Sequence, residues 1–125
     1  MEILFDDHLG LWLGDRTEGF PYRGNKTRLT RPNLGQTSVG DDGLALIARL
    51  PMLEEIALSS TPITEAGLEA LRGHPKLRVI RLGWTKVGEK ALAHLATIPN
   101  LEGIETFDCP NLPPEKRGRL DRAQL

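Results

Sequence analysis

A unit of 24 residues occurs three times in succession, and it constrains the fold more than any other feature of the chain. The units run from Leu34 to Ala57, from Leu58 to Arg81 and from Leu82 to Glu105. Each reads Leu, two residues, Thr, one residue, Val or Ile, then a Gly/Ala-Leu pair, then Pro-x-Leu. A unit this short cannot bury an apolar face alone, so neighbouring units must stack and identical side chains must form continuous ridges.

Each column of the repeat has a physical reading. Leu53, Leu77 and Leu101 are followed three places on by Ile56, Ile80 and Ile104, and two places later come Leu58 and Leu82. Alternating apolar positions predict a short strand with one buried face. Thr37, Thr61 and Thr85 come next, and Cys109 falls in their column. A small polar side chain there can bond backbone groups that have left the strand. Val39, Ile63 and Val87 form a further core row. Asp41, Asp42, Glu65 and Glu89 stand where acids favour a helix N-terminus. Leu44, Leu68 and Leu92, with Ile47, Leu71 and Leu95, have the i, i+3 spacing of one helix face. Pro51, Pro75 and Pro99 stop each helix and return the chain to the next strand.

The stretch Leu77-Arg78-Val79-Ile80-Arg81-Leu82-Gly83-Trp84-Thr85-Lys86-Val87 resembles the leucine-rich repeat, L-x-x-L-x-L-x-x-N/C-x-L, with Thr in the Asn position. The resemblance covers residues 29–112. It implies an α/β solenoid: a short parallel sheet on the concave side, short helices on the convex side, and a non-repeat N-terminal cap. It also implies binding rather than catalysis.

The ends depart from the repeat. Residues 1–28 are expected to form a hairpin-like cap, from the apolar runs Ile3-Leu4-Phe5 and Leu11-Trp12-Leu13, followed by a loop. Asp6, Asp7 and His8 are metal-ligand types, but adjacent residues rarely converge on one ion, so a solvated turn is expected. Leu29 and Leu34 begin an incomplete unit, and Pro32 marks an edge or entry strand. After Glu105 the pattern decays, with Thr106 in a leucine column. Residues 113–125 read either as a closing cap, possible as a helix, or as a frayed tail.

Function follows from the outward strand positions. Arg78, Val79, Arg81, Trp84, Glu105, Phe107 and Asp108 are the expected partner-binding residues, because large apolar groups and arginines on an outward face are typical of interface hot spots. An alternative stays open, in which the C-terminal tail folds over Trp84 and Phe107. No catalytic residue, metal or cofactor is expected: His74 and His94 have no nucleophile or acid at fixed spacing, and Cys109 has no base beside it. The leading reading is a non-catalytic protein-binding module, an adaptor or an inhibitor of immunity type. The alternative is a structural subunit or fragment of a larger leucine-rich-repeat assembly. A nucleic-acid site at Arg23, Lys26, Arg28 and Arg31 ranks lower, because 16 basic residues are balanced by 17 acidic ones. No run of 18 apolar residues suggests a membrane span, one cysteine excludes an internal disulfide framework, and the first residues lack a secretory pattern. These features predict one cytoplasmic domain, with its oligomeric state open.

Overall fold

A computed structural model describes residues 30–125, together with the backbone of two short strands, β1 (Phe5–Asp6) and β2 (Leu11–Trp12). These two pair antiparallel, Phe5 opposite Trp12. The expectations for Asp7, His8, Arg23, Lys26, Arg28, Leu29 and the loop 14–28 concern residues outside those described.

The repeat register becomes strand pairing. Strands β3 (Glu55–Ala57), β4 (Val79–Arg81) and β5 (Gly103–Glu105) are three residues each, with the middle isoleucine buried. They pair in parallel, Glu55 opposite Val79 opposite Gly103. Parallel neighbours need a crossover, and the helices supply it: α1 (Asp41–Ile47), α2 (Glu65–Leu68, continued by a 3-10 turn at Glu69–Leu71) and α3 (Glu89–Leu95). Helix α1 packs on α2, and α2 on α3. Leu44, Leu68, Ile47, Leu71 and Leu95 are fully buried, as the i, i+3 spacing requires, and Leu92 nearly so. They meet the ridges Leu53–Leu77–Leu101 and Val39–Ile63–Val87 in one core.

The acids at the helix starts work between units. Asp41 accepts from the Thr64 backbone N–H, and Glu65 from that of Lys90, at 2.8 and 3.0 Å. Each carboxylate thus satisfies a donor at the start of the next helix, which has no partner within that helix.

The expected leucine-rich-repeat solenoid with an all-parallel sheet is not what forms. The molecule is a small mixed α/β structure: a four-stranded sheet, part parallel and part antiparallel, with three short α-helices among the described residues. The fourth strand, β6 (Arg119–Asp121), runs antiparallel to β5, Ile104 opposite Leu120. The cause lies where the pattern decays. Thr106 occupies a leucine column and is fully buried. Its hydroxyl donates toward the Lys116 and Gly118 carbonyls, at 2.7 and 3.2 Å, and accepts from the Gly118 N–H at 3.1 Å. Leucine offers none of these bonds. Gly118 turns the chain with φ 119°, a value that suits glycine. The reversed strand lays Leu120 on the core.

The last residues are a strand and a 3-10 turn (Arg122–Gln124) rather than a closing α-helix. Arg122 donates to the carbonyls of Ile98 and Ala96, just beyond the end of α3. Leu125 packs partly buried against the core.

Candidate functional site

Side chains alternate across a strand. With Ile56, Ile80, Ile104 and Leu120 turned into the core, their flanking residues occupy the other, open face of the sheet. Charges on that face alternate in register. Arg31 lies 3.8 Å from Glu55, Arg81 3.4 Å from both Glu55 and Glu105, and Arg119 3.4 Å from Glu105. One chain of ion pairs thus crosses the whole sheet. A second row joins Glu54, Arg78 and Glu102, with Arg78 at 3.6 Å from the first and 2.9 Å from the second. The hydrogen bond from Arg78 holds the Glu102 carboxyl below the usual carboxylate range, and the same bond raises the Arg78 guanidinium. Each isolated surface pair contributes little, but a connected row orders long side chains that would otherwise be mobile.

Beyond the strands lies a row of turns. Gln36, Ser60, Trp84 and Asp108, spaced one repeat apart, all adopt left-handed backbone, with φ of 60°, 59°, 57° and 56°. Their N–H groups explain how the conformation is held: Gln36 donates to Ser59 O, Ser60 to Gly83 O and Trp84 to Phe107 O, at 2.9, 2.9 and 2.8 Å. Left-handed backbone costs an L-residue roughly 1–2 kcal/mol. Asn, Asp and Gly bear it best, and a bulky tryptophan is an outlier there. The indole is nevertheless 60% exposed. An open groove of about 600 Å³ lies beside it, floored by small residues such as Gly35, Ala57 and Ser59. Arg81 and Trp84 line it together with Asn33, Gln36 and Ser60.

The residues expected to bind a partner distribute over this face. Val79, Arg81 and Glu105 share the open face of β4 and β5, and Arg81 and Glu105 are an ion pair. Trp84 and Asp108 occupy the left-handed turn row. Phe107 is 42% exposed, and its ring edge lies close to where a side chain at Gly118 would stand. Arg78 belongs to the second ionic row and does not line the groove beside Trp84. The C-terminal segment returns beside β5 and leaves Trp84 open. Sequence reasoning missed Arg119, which completes the ion-pair chain. It also left Asn33, Gln36 and Ser60 outside the site, although Gln36 and Ser60 stand in the Trp84 column and Asn33 in the Arg81 column, one or two repeats earlier.

Cys109, His74 and His94, three side chains able to do nucleophilic or acid–base chemistry, are engaged away from this face. Cys109 is fully buried, with its thiol 3.1 Å from the Leu82 carbonyl and 3.7 Å from the Thr85 hydroxyl. His74 is buried, and its Nε2 stands 2.9 Å from Leu50 O while Nδ1 accepts from the Lys76 N–H. His94, part-exposed, takes a bond from Arg72 at 2.8 Å. Among the described residues no three His, Cys, Asp or Glu stand together as metal ligands, and no helix is long and apolar enough to cross a membrane. No family model matches the chain, and no curated protein matches it significantly.

Proposed function

We propose that this chain is a non-catalytic protein-binding module that docks its partner on the open face of the four-stranded sheet, with Trp84 as the central anchor and Arg81, Val79, Glu105, Phe107 and Asp108 around it. One observation carries the reading: a tryptophan 60% exposed and held in an unfavourable left-handed conformation, on a face where the charged side chains are already ordered. Strain of this kind clusters at functional sites, and tryptophan and arginine are enriched among interface hot spots. The resemblance of the 24-residue unit to leucine-rich repeats supports binding over catalysis. The paired guanidinium groups favour a protein over a nucleic acid, because Arg31, Arg78, Arg81 and Arg119 each already face a carboxylate. A buried free thiol suits a cytoplasmic adaptor or inhibitor.

The test is capture of a partner on the immobilised chain, its identification, and titration of the purified pair. Trp84→Ala and Arg81→Ala are expected to weaken that complex at least about tenfold while circular dichroism stays native, as truncation of hot-spot residues does. Glu69→Ala and Lys90→Ala, on the helical side, are expected to leave it unchanged. Loss of binding through the helical variants alone would overturn the assignment.

A further inference from the structure

Resting on that reading, we infer that the groove beside Trp84 takes an extended, uncharged, proline-rich segment of the partner in polyproline II conformation. The argument is one of hydrogen-bonding complementarity. Two groups that line the groove, Arg81 and the Trp84 indole, can only donate, and a third, Asn33, is left chiefly a donor. Asn33 has its Oδ1 occupied by the Gly35 N–H at 3.0 Å, which leaves its amide NH₂ as the principal free function. Arg81 has no acceptor atom, and the Trp84 indole N–H is a donor without an acceptor among the described residues. Gln36, Ser59 and Ser60 can donate or accept, and their side chains hold no partner among the described residues. No carboxylate lines the groove.

A lining of this kind asks for a ligand rich in acceptors and poor in donors. Proline residues supply that chemistry, since each keeps its carbonyl and has no N–H. A polyproline II segment has no internal hydrogen bonds, so every carbonyl is available. Its rings suit an exposed aromatic platform, and its fixed φ keeps the ordering cost low. Charge selects against the alternatives. The Arg81 guanidinium already faces Glu55 and Glu105, so a strongly acidic segment would have to displace a carboxylate, and a basic one would meet Arg81. An oligosaccharide would also stack on the indole, and its hydroxyls could pair with Gln36, Ser59 and Ser60, so it is the ligand against which the proline-rich segment has to be compared.

Acetylated, amidated decaproline is the probe, titrated into the full chain and followed by amide and indole N–H chemical shifts. An uncharged Gly-Ser decapeptide and cellohexaose serve as comparison ligands. Decaproline is expected to shift the Trp84 indole and the amides of Gln36, Ser59 and Ser60. Binding is expected to weaken at least about tenfold in Trp84→Ala, as for a central anchor. It is expected to change less than about twofold when salt rises from about 0.05 to 0.5 M, because screening does not touch an uncharged ligand. Absence of shifts with decaproline, equal binding of the Gly-Ser peptide, or Trp84-dependent binding of cellohexaose in its place would overturn the inference. If decaproline is silent while the partner complex still depends on Trp84, only this inference fails. If the complex does not depend on Trp84 either, the docking surface itself has been misplaced.

Discussion

The Asp41 carboxylate reaches Thr64 with both oxygens, one taking the backbone N–H at 2.8 Å and the other the hydroxyl at 2.6 Å. The contact joins the starts of two helices from adjacent units. Gly67 sits against it: a Cβ there would lie 2.2 Å from Asp41 Oδ1 and 3.1 Å from its Cα. Glycine in a helix normally loses to alanine by roughly 0.5–1 kcal/mol, so Gly67→Ala would ordinarily help. Here it is expected to destabilise, because the clash forces Asp41 off Thr64. Asp41→Ala alone is expected to cost about 0.5–2 kcal/mol, the usual range for a lost capping acceptor. The double variant should be less unstable than the sum of the two. Urea unfolding of the four proteins measures this coupling, and simple additivity would rule the contact out.

Cys109 donates its thiol toward Leu82 O at 3.1 Å, whereas Thr85 in the same column bonds the carbonyl three residues before it at 2.7 Å. Thr37, Thr61 and Thr85 each close the turn of their own unit in this way, whereas Cys109 reaches across to the carbonyl that Thr85 already uses. Cys109→Thr is expected to remain folded with a change under about 1.5 kcal/mol, the range for small volume-conserving swaps. Labelling of the native thiol by a disulfide reagent should be slow, since a fully buried sulfur reacts only through opening. Rapid labelling under native conditions would show that the last unit opens freely.

Glu102 titrates below the usual carboxylate range because Arg78 donates to it and then attracts it by charge. A carboxyl with a depressed folded pKa lends stability that is present above its unfolded-state pKa. That stability is lost as pH falls through the folded pKa. The pair is open to solvent, so the effect is small and screened by salt. Arg78→Met is expected to move the Glu102 titration upward, and 0.5 M salt (about a 4 Å screening length) should shrink the difference. Carboxyl-carbon NMR reads both. An unmoved Glu102 titration at low salt would mean that Arg78 contributes nothing in solution.

The strands, helices and core columns were legible because a 24-residue period repeats the same physical demand, and Ile56, Ile80 and Ile104 meet it in identical register. The mixed sheet was not legible. Arg119-Leu120-Asp121 presents one apolar residue between charges, too short a pattern to announce a strand, and it forms because Thr106 and Gly118 bring the chain back. The charge pairing of Arg31, Glu55, Arg81, Glu105 and Arg119 needed the antiparallel register before its last member could be placed. Left-handed backbone at Gln36, Ser60, Trp84 and Asp108 left little trace in residue type, since hydrogen bonds between units impose it against preference.

Trp84 gives the sharpest consequence of that imposed conformation. At φ 57° an L-residue is strained and glycine is not. Alanine at this position keeps the strain and loses the ring; glycine loses the ring and relieves the strain. Alanine where φ is positive is destabilising even though it stiffens the unfolded chain. Trp84→Gly should therefore be more stable than Trp84→Ala by about 0.5–1 kcal/mol, the reverse of the usual order. Trp84→Asn should fall between them, as asparagine tolerates this region better than most side chains. All three variants should lose partner binding alike, because each removes the exposed indole. Chemical denaturation sets the stability order, and titration against the purified partner sets the affinities. If alanine proves more stable than glycine, the turn relaxes in solution and strain is no argument for function. If the order holds and binding is lost in every case, the chain keeps at this turn a residue that stability alone would replace, and the indole's role is recognition.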